Sequence, residues 1–135
     1  RLPTLFPADL PIPMVSPVDV GEAAAQRLMS SVEDVGLQYV TGPRPYTPAE
    51  VASAFSQRLA RPVTVEVVPR AQWEAWFRQL GFSPVAAESY ARMTARCVDH
   101  GFDMPDLAWR GRTTFEAHLD ALLQPAGRAQ QAVER

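Results

Sequence analysis

The spacing of apolar and polar residues changes several times along the chain, and each change predicts a new element. Apolar residues recur at helical spacing in five stretches. The pattern predicts helices at about 19–32, 48–60, 73–80 and 84–100, and a last one that Thr113 opens and Gln124 ends. Prolines dominate residues 1–15, which predicts an extended or irregular start, with a short strand possible at 13–16. The second half of the chain is therefore predicted to be mostly helical.

Two shorter stretches have the alternation and β-branched content of strands. They are GLQYVTG at 36–42 and PVTVEVVP at 62–69, each bounded by glycine or proline. With the helix at 48–60 between them, they predict a right-handed βαβ unit with two parallel strands. Because two parallel strands are a poor sheet alone, the unit needs helices packed over it or strands from elsewhere. The predicted fold class is α/β: a small lobe of α+β character with four to five helices around this unit.

Capping residues mark where three of the helices are predicted to begin. Asp19 precedes the first apolar stripe, and we assign its carboxylate to the free N–H groups of that helix. Thr47 and Glu50 have the spacing of a capping box for the helix at 48–60, and Thr113 and Glu116 repeat that spacing for the last helix. These five residues are predicted to be structural.

The first helix is predicted to have one apolar face. Four residues fall on it at helical spacing: Val20, Ala23, Ala24 and Leu28. Such a stripe predicts a face that is buried against another part of the protein.

Composition excludes several functions. A net charge of −2 and a pI of about 5.7 give no electrostatic case for binding nucleic acid or an anionic membrane surface. No apolar run approaches the ~18 residues of a membrane span. All 13 basic residues are arginine, which excludes chemistry that depends on a lysine of this chain. Cys97 is the only cysteine, so no internal disulfide is possible and a cytoplasmic location is expected.

The inventory of chemically active residues is small. Neither His100 nor His118 has a metal-ligand spacing with Cys97, and no glycine-rich phosphate loop is present. We therefore assign no catalytic, cofactor-binding or metal-binding residue to the chain. The aromatic stretch near the middle allows two interpretations: the core face of a helix, or the wall of an apolar substrate pocket. The pocket candidates are Trp73, Trp76, Phe77, Tyr90 and Met93.

The order of these landmarks resembles the C-terminal portion of NmrA-like proteins, atypical relatives of the short-chain dehydrogenases. Three segments carry the resemblance: IPMVSPVDVGEAAAQRLM, then YVTGPRPYTPAEVASAFSQRLARPVTVEVVPRAQWEAWFRQLG, then GRTTFEAHLDALL. They span residues 10–123, almost the whole chain.

The resemblance implies a fragment whose nucleotide site lies elsewhere. The family's glycine-rich fingerprint and first Rossmann strands precede these landmarks, so NAD(P) is implied for a full-length parent and not for this chain. Residues 1–125 would form a substrate-side cap lobe, and residues 126–135 a polar tail. The parent would be a reductase or a redox-sensing regulator, the lobe alone would not be an enzyme, and its partner would be the missing N-terminal Rossmann domain. The opening RLPTLFP fits this expectation, because it looks like the interior of a longer chain.

A different class of function stays open. The chain could be a stand-alone module that binds an apolar ligand or another protein through its aromatic face. Apolar surface left without a neighbouring domain tends to self-associate, so a homodimer is also expected.

Overall fold

The computed structural model describes residues 1–31, 33, 35–103, 105 and 108–123. The predicted polar tail, 126–135, lies outside these residues. The chain divides into two compact units that interleave along the sequence. Unit 1 contains the described residues of 1–13 and 45–107, and unit 2 those of 14–44 and 108–135.

The described residues of the two units form five α-helices and six short strands. In chain order they are β1 (Leu2–Thr4), β2 (Ile12–Pro13), α1 (Pro17–Leu28), β3 (Val40–Thr41), β4 (Pro45–Tyr46), α2 (Pro48–Leu59), β5 (Val65–Val67), α3 (Trp73–Gln79), α4 (Pro84–His100), β6 (Trp109–Arg110) and α5 (Phe115–Leu123). A short 3-10 turn at Arg70–Gln72 leads into α3. The predicted α/β class is confirmed, and all five helices of the described residues begin within two residues of their predicted starts.

The strands pair in three two-stranded sheets, and the pairing differs from the prediction. Strand β5 lies parallel to β1, with Leu2 opposite Val65, and β3 lies parallel to β6, with Val40 opposite Trp109. Strands β2 and β4 are antiparallel. The prediction that the strands near 36–42 and 62–69 pair with each other is therefore wrong. Each is parallel to a segment that the sequence pattern left as irregular or as a loop.

Proline-rich sequence could form β1 because the hydrogen bonds avoid the proline. The Leu2 N–H donates to the Thr64 carbonyl at 2.8 Å, and the Val68 N–H donates to the Thr4 carbonyl at 2.8 Å. Pro3, between Leu2 and Thr4, has no N–H to contribute and none is required of it. A proline in an edge strand is thus compatible with the ladder.

The core of unit 1 lies where α3 and α4 meet the end of β5. Val68, Trp73 and Ala91 are buried together, and Trp76 and Phe77 pack against them. The Trp73 indole Nε1–H donates to the Val68 carbonyl at 2.9 Å, so this buried polar group is satisfied. Helix α4 begins after Ser83, whose Oγ accepts from the Ala86 N–H at 3.3 Å.

The helix caps agree with the prediction at α2 and differ at α1 and α5. Thr47 and Glu50 form a complete capping box: the Glu50 N–H donates to Thr47 Oγ1 at 3.1 Å and the Thr47 N–H donates to a Glu50 carboxylate oxygen at 2.8 Å. At α1 the N-cap is Ser16, whose Oγ accepts from the Val18 N–H at 3.3 Å. The capping role predicted for Asp19 is therefore wrong, because Pro17 already occupies the first helical position.

At α5 the capping threonine is one residue later than predicted. Thr114 Oγ1 accepts from the Ala117 N–H at 3.1 Å, which is the hydrogen bond of an N-cap. The predicted box of Thr113 and Glu116 is wrong, because both side chains have other partners. Thr113 hydrogen-bonds to Asp19, and Glu116 forms an ion pair with Arg44 at 3.6 Å.

Within the described ranges, no helix combines the length and the apolar character that crossing a bilayer requires.

Candidate functional site

Three aromatic rings meet at the surface of unit 1 and form what we call the aromatic cluster: Phe77, Phe82 and Tyr90. The ring centroids of Phe82 and Tyr90 are 4.9 Å apart, and Phe77 lies 5.5 Å from each of the other two. Tilted and edge-on rings at these distances attract one another. Tyr90 keeps 43% of its surface exposed, so the cluster offers an aromatic surface to solvent.

The five predicted pocket residues separate into a core part and a surface part. Trp73 is buried and its indole N–H is already bonded, so it belongs to the core. Trp76 and Phe77 are half-buried against that core, while Tyr90 and Met93 are exposed, Met93 by 55%. The structure brings Phe77 and Tyr90 together as expected for one surface. Whether that surface binds a substrate stays a prediction.

Sequence analysis missed Phe82, the third ring of the cluster. Its position carried a signal, because an apolar residue directly before an N-cap often packs onto the helix that follows. Ser83 is that N-cap, and Phe82 packs against Tyr90 on the same helix.

An ion pair joins the turn before α3 to α4 in unit 1. The Arg70 guanidinium donates two hydrogen bonds to the Asp99 carboxylate, at 2.9 and 2.6 Å, and also lies over the Trp73 ring at 5.5 Å. The hydrogen bond from Arg70 is the main cause that holds the pKa of Asp99 below its usual value, and the charges of Arg70 and His100 add to it. The pair connects the turn before α3 to α4. The Arg70 guanidinium is therefore occupied by a carboxylate of its own unit.

Two surface cavities are formed by other residues. The cavity of unit 1 has a volume of about 370 Å³ and an apolar lining from Leu2, Phe55, Leu59, Pro62 and Val63, with Arg1 and Arg61 beside it. The cavity of unit 2 has a volume of about 260 Å³ and lies beside α1. Neither is lined by any of the five predicted pocket residues.

Unit 2 contains a buried polar cluster around Asp19. The Asp19 carboxylate accepts the Thr113 N–H at 2.9 Å and the Thr113 hydroxyl at 2.7 Å. Nearby, the Ser16 hydroxyl lies 3.4 Å from His118 Nδ1. These contacts join the start of α1 to the segment around α5. Asp19 is fully used by hydrogen bonds to its own unit, which makes its role structural.

Two glycines allow the backbone of unit 2 to close around this cluster. A side chain at Gly111 would collide with the Asp19 carboxylate, whose Cγ would lie 2.7 Å from the added carbon. A side chain at Gly42 would collide with the Met14 carbonyl oxygen. Glycine is therefore required at both positions for the approach of neighbouring atoms.

The part of the chain that the structure describes contains no group of three or more histidine, cysteine, aspartate or glutamate side chains that could hold a metal ion. The aromatic cluster contains no carboxylate, imidazole or thiol. What this surface can do chemically is bind flat apolar groups by stacking and by excluding water.

Comparison with known proteins adds information at the level of fold. No family model matches the sequence, and no curated protein matches it. Two solved structures do match. Triphenylmethane reductase from Citrobacter sp., complexed with NADP(H), aligns over 90% of this chain and 44% of its own, with a TM-score of 0.65 and 16% identity. An NADPH-dependent quinone oxidoreductase from Escherichia coli aligns over 90% of this chain and 46% of its own, with a TM-score of 0.63 and 20% identity. This chain is therefore similar in fold to part of two NADP(H)-linked reductases and spans less than half the length of either.

Proposed function

We propose that this chain is the substrate-side lobe of an NADP(H)-dependent oxidoreductase whose nucleotide-binding part lies upstream in the same polypeptide. The fold likeness carries the proposal, because 90% of this chain aligns with less than half of each reductase. The sequence is consistent with it, since it contains no glycine-rich phosphate loop and no lysine. The phosphates of a dinucleotide would therefore be bound by the other part.

The aromatic cluster is the surface of this lobe best suited to a substrate. The two reductases act on a triphenylmethane and a quinone by name, both of them molecules with flat conjugated rings. Phe77, Phe82 and Tyr90 present ring faces and edges that can stack on such a molecule. In this proposal the lobe binds the substrate, orients it and excludes water, and NADPH supplies the hydride when it is bound by the other part.

The proposal is tested on the polypeptide encoded by the complete reading frame. We expect the parent protein to oxidise NADPH when a quinone or a triphenylmethane dye is present. The 135-residue chain should not oxidise NADPH, and it should not bind NADPH at sub-millimolar concentration. Calorimetry that finds micromolar NADPH binding by the 135-residue chain contradicts the proposal. A reading frame without a nucleotide-binding sequence upstream of Arg1 contradicts it as well.

The role of the aromatic cluster is tested by Tyr90→Ala in the parent protein. Loss of one stacking ring should raise the KM for a quinone by about tenfold, which corresponds to ~1.4 kcal/mol, and leave the Kd for NADPH unchanged. Arg96→Ala, at an exposed position on the same helix, is the control and should change neither constant. Equal KM values for the wild type and the Tyr90 variant would reject the role.

One observation favours a second function, that of a stand-alone module for apolar ligands. Tyr90 and Met93 are exposed on the same helix, in a protein that has Trp76 close by to report on binding. Apolar ligands would then change the tryptophan fluorescence of the 135-residue chain, and Trp76→Ala would abolish that change. If the tryptophan fluorescence of the 135-residue chain does not change with any apolar ligand, with or without the Trp76→Ala substitution, this alternative is rejected.

A further inference from the structure

One face of α1 in unit 2 is apolar and uncovered. Val20, Ala24 and Leu28 follow one another at four-residue spacing, and all three are exposed, Leu28 by 88%. The segment after α1 continues the same character, with Val35 and Leu37 each 81% exposed. We call these five residues the α1 face. The sequence predicted a buried stripe here, yet of its members only Ala23 is buried.

The α1 face borders the unit 2 cavity of about 260 Å³ described above, which we call the groove. The groove is lined by Val20, Ala23, Ala24 and Arg27 of α1 and by Gly36, Gln38 and Val40 of the segment that follows. The Arg27 guanidinium donates to the Gly36 carbonyl at 3.2 Å, which ties α1 to the segment that follows it. The groove is thus formed within unit 2 and has a mostly apolar lining.

Two polar residues of α1 lie on the side away from this face. Glu22 lies two positions from Val20 and from Ala24, and Gln26 lies two positions from Ala24 and from Leu28. Residues two apart do not share a helix face, so both polar side chains point to the other side of the helix. There they hydrogen-bond to each other at 3.4 Å. A helix of a free-standing protein places its polar side outward and its apolar side inward, whereas α1 leaves both sides exposed.

Strand β3, next to the groove, belongs to a very small parallel sheet. It forms a parallel pair of two residues with β6, and Val40 of β3 lines the groove. Parallel strands in proteins are normally covered on both faces by helices and belong to larger sheets. An exposed apolar helix face, a mostly apolar groove and a minimal parallel pair therefore occur together in unit 2.

We infer that the α1 face and its groove are the docking surface for the upstream, nucleotide-binding part of the same polypeptide. The inference rests on the proposed function. The reductases of similar fold are more than twice as long as the matched part, so most of such a polypeptide lies outside this chain. A tethered partner of that size can cover a continuous apolar face of this kind without paying the entropy of a separate association.

Thiol labelling tests the inference directly. Leu28→Cys is made in a Cys97→Ala background, in both the 135-residue chain and the parent protein, and the rate of reaction with a maleimide is measured at low protein concentration. The introduced thiol should react about tenfold or more slowly in the parent, because burial by the upstream part protects it. Val85→Cys, at a position of α4 that is 74% exposed, is the matched control and should react at the same rate in both.

The outcomes separate this inference from the proposed function. A parent that binds NADPH but labels as fast at position 28 as the 135-residue chain overturns the inference and leaves the proposed function standing. If the thiol introduced at position 28 of the 135-residue chain reacts more slowly than the one introduced at position 85, and the difference grows with protein concentration, a second copy covers the face. If the thiol at position 28 reacts more slowly than the one at position 85 at every concentration, residues 124–135 cover it. Either result overturns the inference. A parent without a nucleotide-binding part rejects both proposals.

Discussion

At the scale of single residues, Gly42 and Gly111 of unit 2 occupy positions where any side chain would collide with neighbouring atoms. Gly42 lies directly against the Met14 carbonyl group and Gly111 against the Asp19 carboxylate. Gly21 differs from both, because it is an exposed helical residue with no atom near the position of a side chain. The three positions therefore predict substitutions of opposite sign.

Gly42→Ala should lower the free energy of unfolding by about 2 kcal/mol or more, because the added methyl collides with backbone atoms that cannot move aside cheaply. Gly21→Ala should raise it by about 0.5–1 kcal/mol, since alanine loses less entropy in a helix. Urea unfolding of both variants measures the two values. A Gly42 variant as stable as the wild type would mean that Met14 and Gly42 are not in contact.

Asp19 gives a second prediction at this scale. Asp19→Ala leaves the part-buried Thr113 N–H without an acceptor and should cost about 2 kcal/mol of unfolding free energy. Glu22→Ala, on the exposed side of the same helix, is the control and should change stability by less than ~0.5 kcal/mol. If both variants unfold at the same urea concentration, the Asp19–Thr113 contact contributes nothing.

At the scale of elements, the helices were predictable because their signals are local. Proline at the first helical position, a threonine or serine cap and an apolar stripe all fall within one stretch of sequence, as at Thr47 and Ser83. The strand partners were not predictable, because β1 and β6 are short and pair with residues more than sixty positions away. The cap at α1 was missed although its signal is also local: Ser16 precedes Pro17 as Thr47 precedes Pro48, but Asp19 offered a second capping side chain close by.

The capping box of α2 predicts the energetic weight of a local signal. Thr47→Ala removes the acceptor of the Glu50 N–H and should destabilise the protein by about 1 kcal/mol. Thr64→Ala, at an exposed position before β5, is a control that removes a threonine without removing a cap. Thermal unfolding compares them, and equal melting temperatures for the two variants would contradict the prediction.

The ion pair between the turn at Arg70 and helix α4 predicts a pH dependence. Because the hydrogen bond from Arg70 lowers the pKa of Asp99 from 3.8 in the folded state, the pair contributes stability above that value and loses it as the pH falls through the lowered pKa. The contribution is small, since both side chains are exposed to solvent. The melting temperature of Asp99→Asn should lie below that of the wild type at neutral pH and converge with it in acid.

Glu74→Gln, an exposed carboxylate on α3, is the control for this titration. Its melting temperature should stay parallel to that of the wild type over the whole pH range. A constant difference between the wild type and the Asp99 variant down to pH values well below 3.8 would show that the ion pair is not the cause.

At the scale of the whole molecule, the aromatic cluster shows how far a site can be predicted. Periodicity placed Phe77 and Tyr90 on facing helices, and the structure brings their rings together. Periodicity could not tell which tryptophan is buried in the core, because the hydrogen-bond partner of the Trp73 indole is a carbonyl group of the segment before α3. Periodicity also could not show that Val20 and Leu28 of α1 stay exposed. Amphipathic spacing identifies the apolar face of a helix but does not tell whether another part of the chain covers it.

The interleaving of the two units has a practical consequence for handling the gene. The polypeptide leaves unit 1 after residue 13, returns at residue 45 and leaves again after residue 107. No single cut in the coding sequence isolates either unit, because any continuous piece that contains all of one unit also contains part of the other. Fragment complementation would instead need pieces that meet at the crossings themselves, and a reporter inserted between residues 13 and 14, 44 and 45 or 107 and 108 would fall between segments of the two units and interrupt neither.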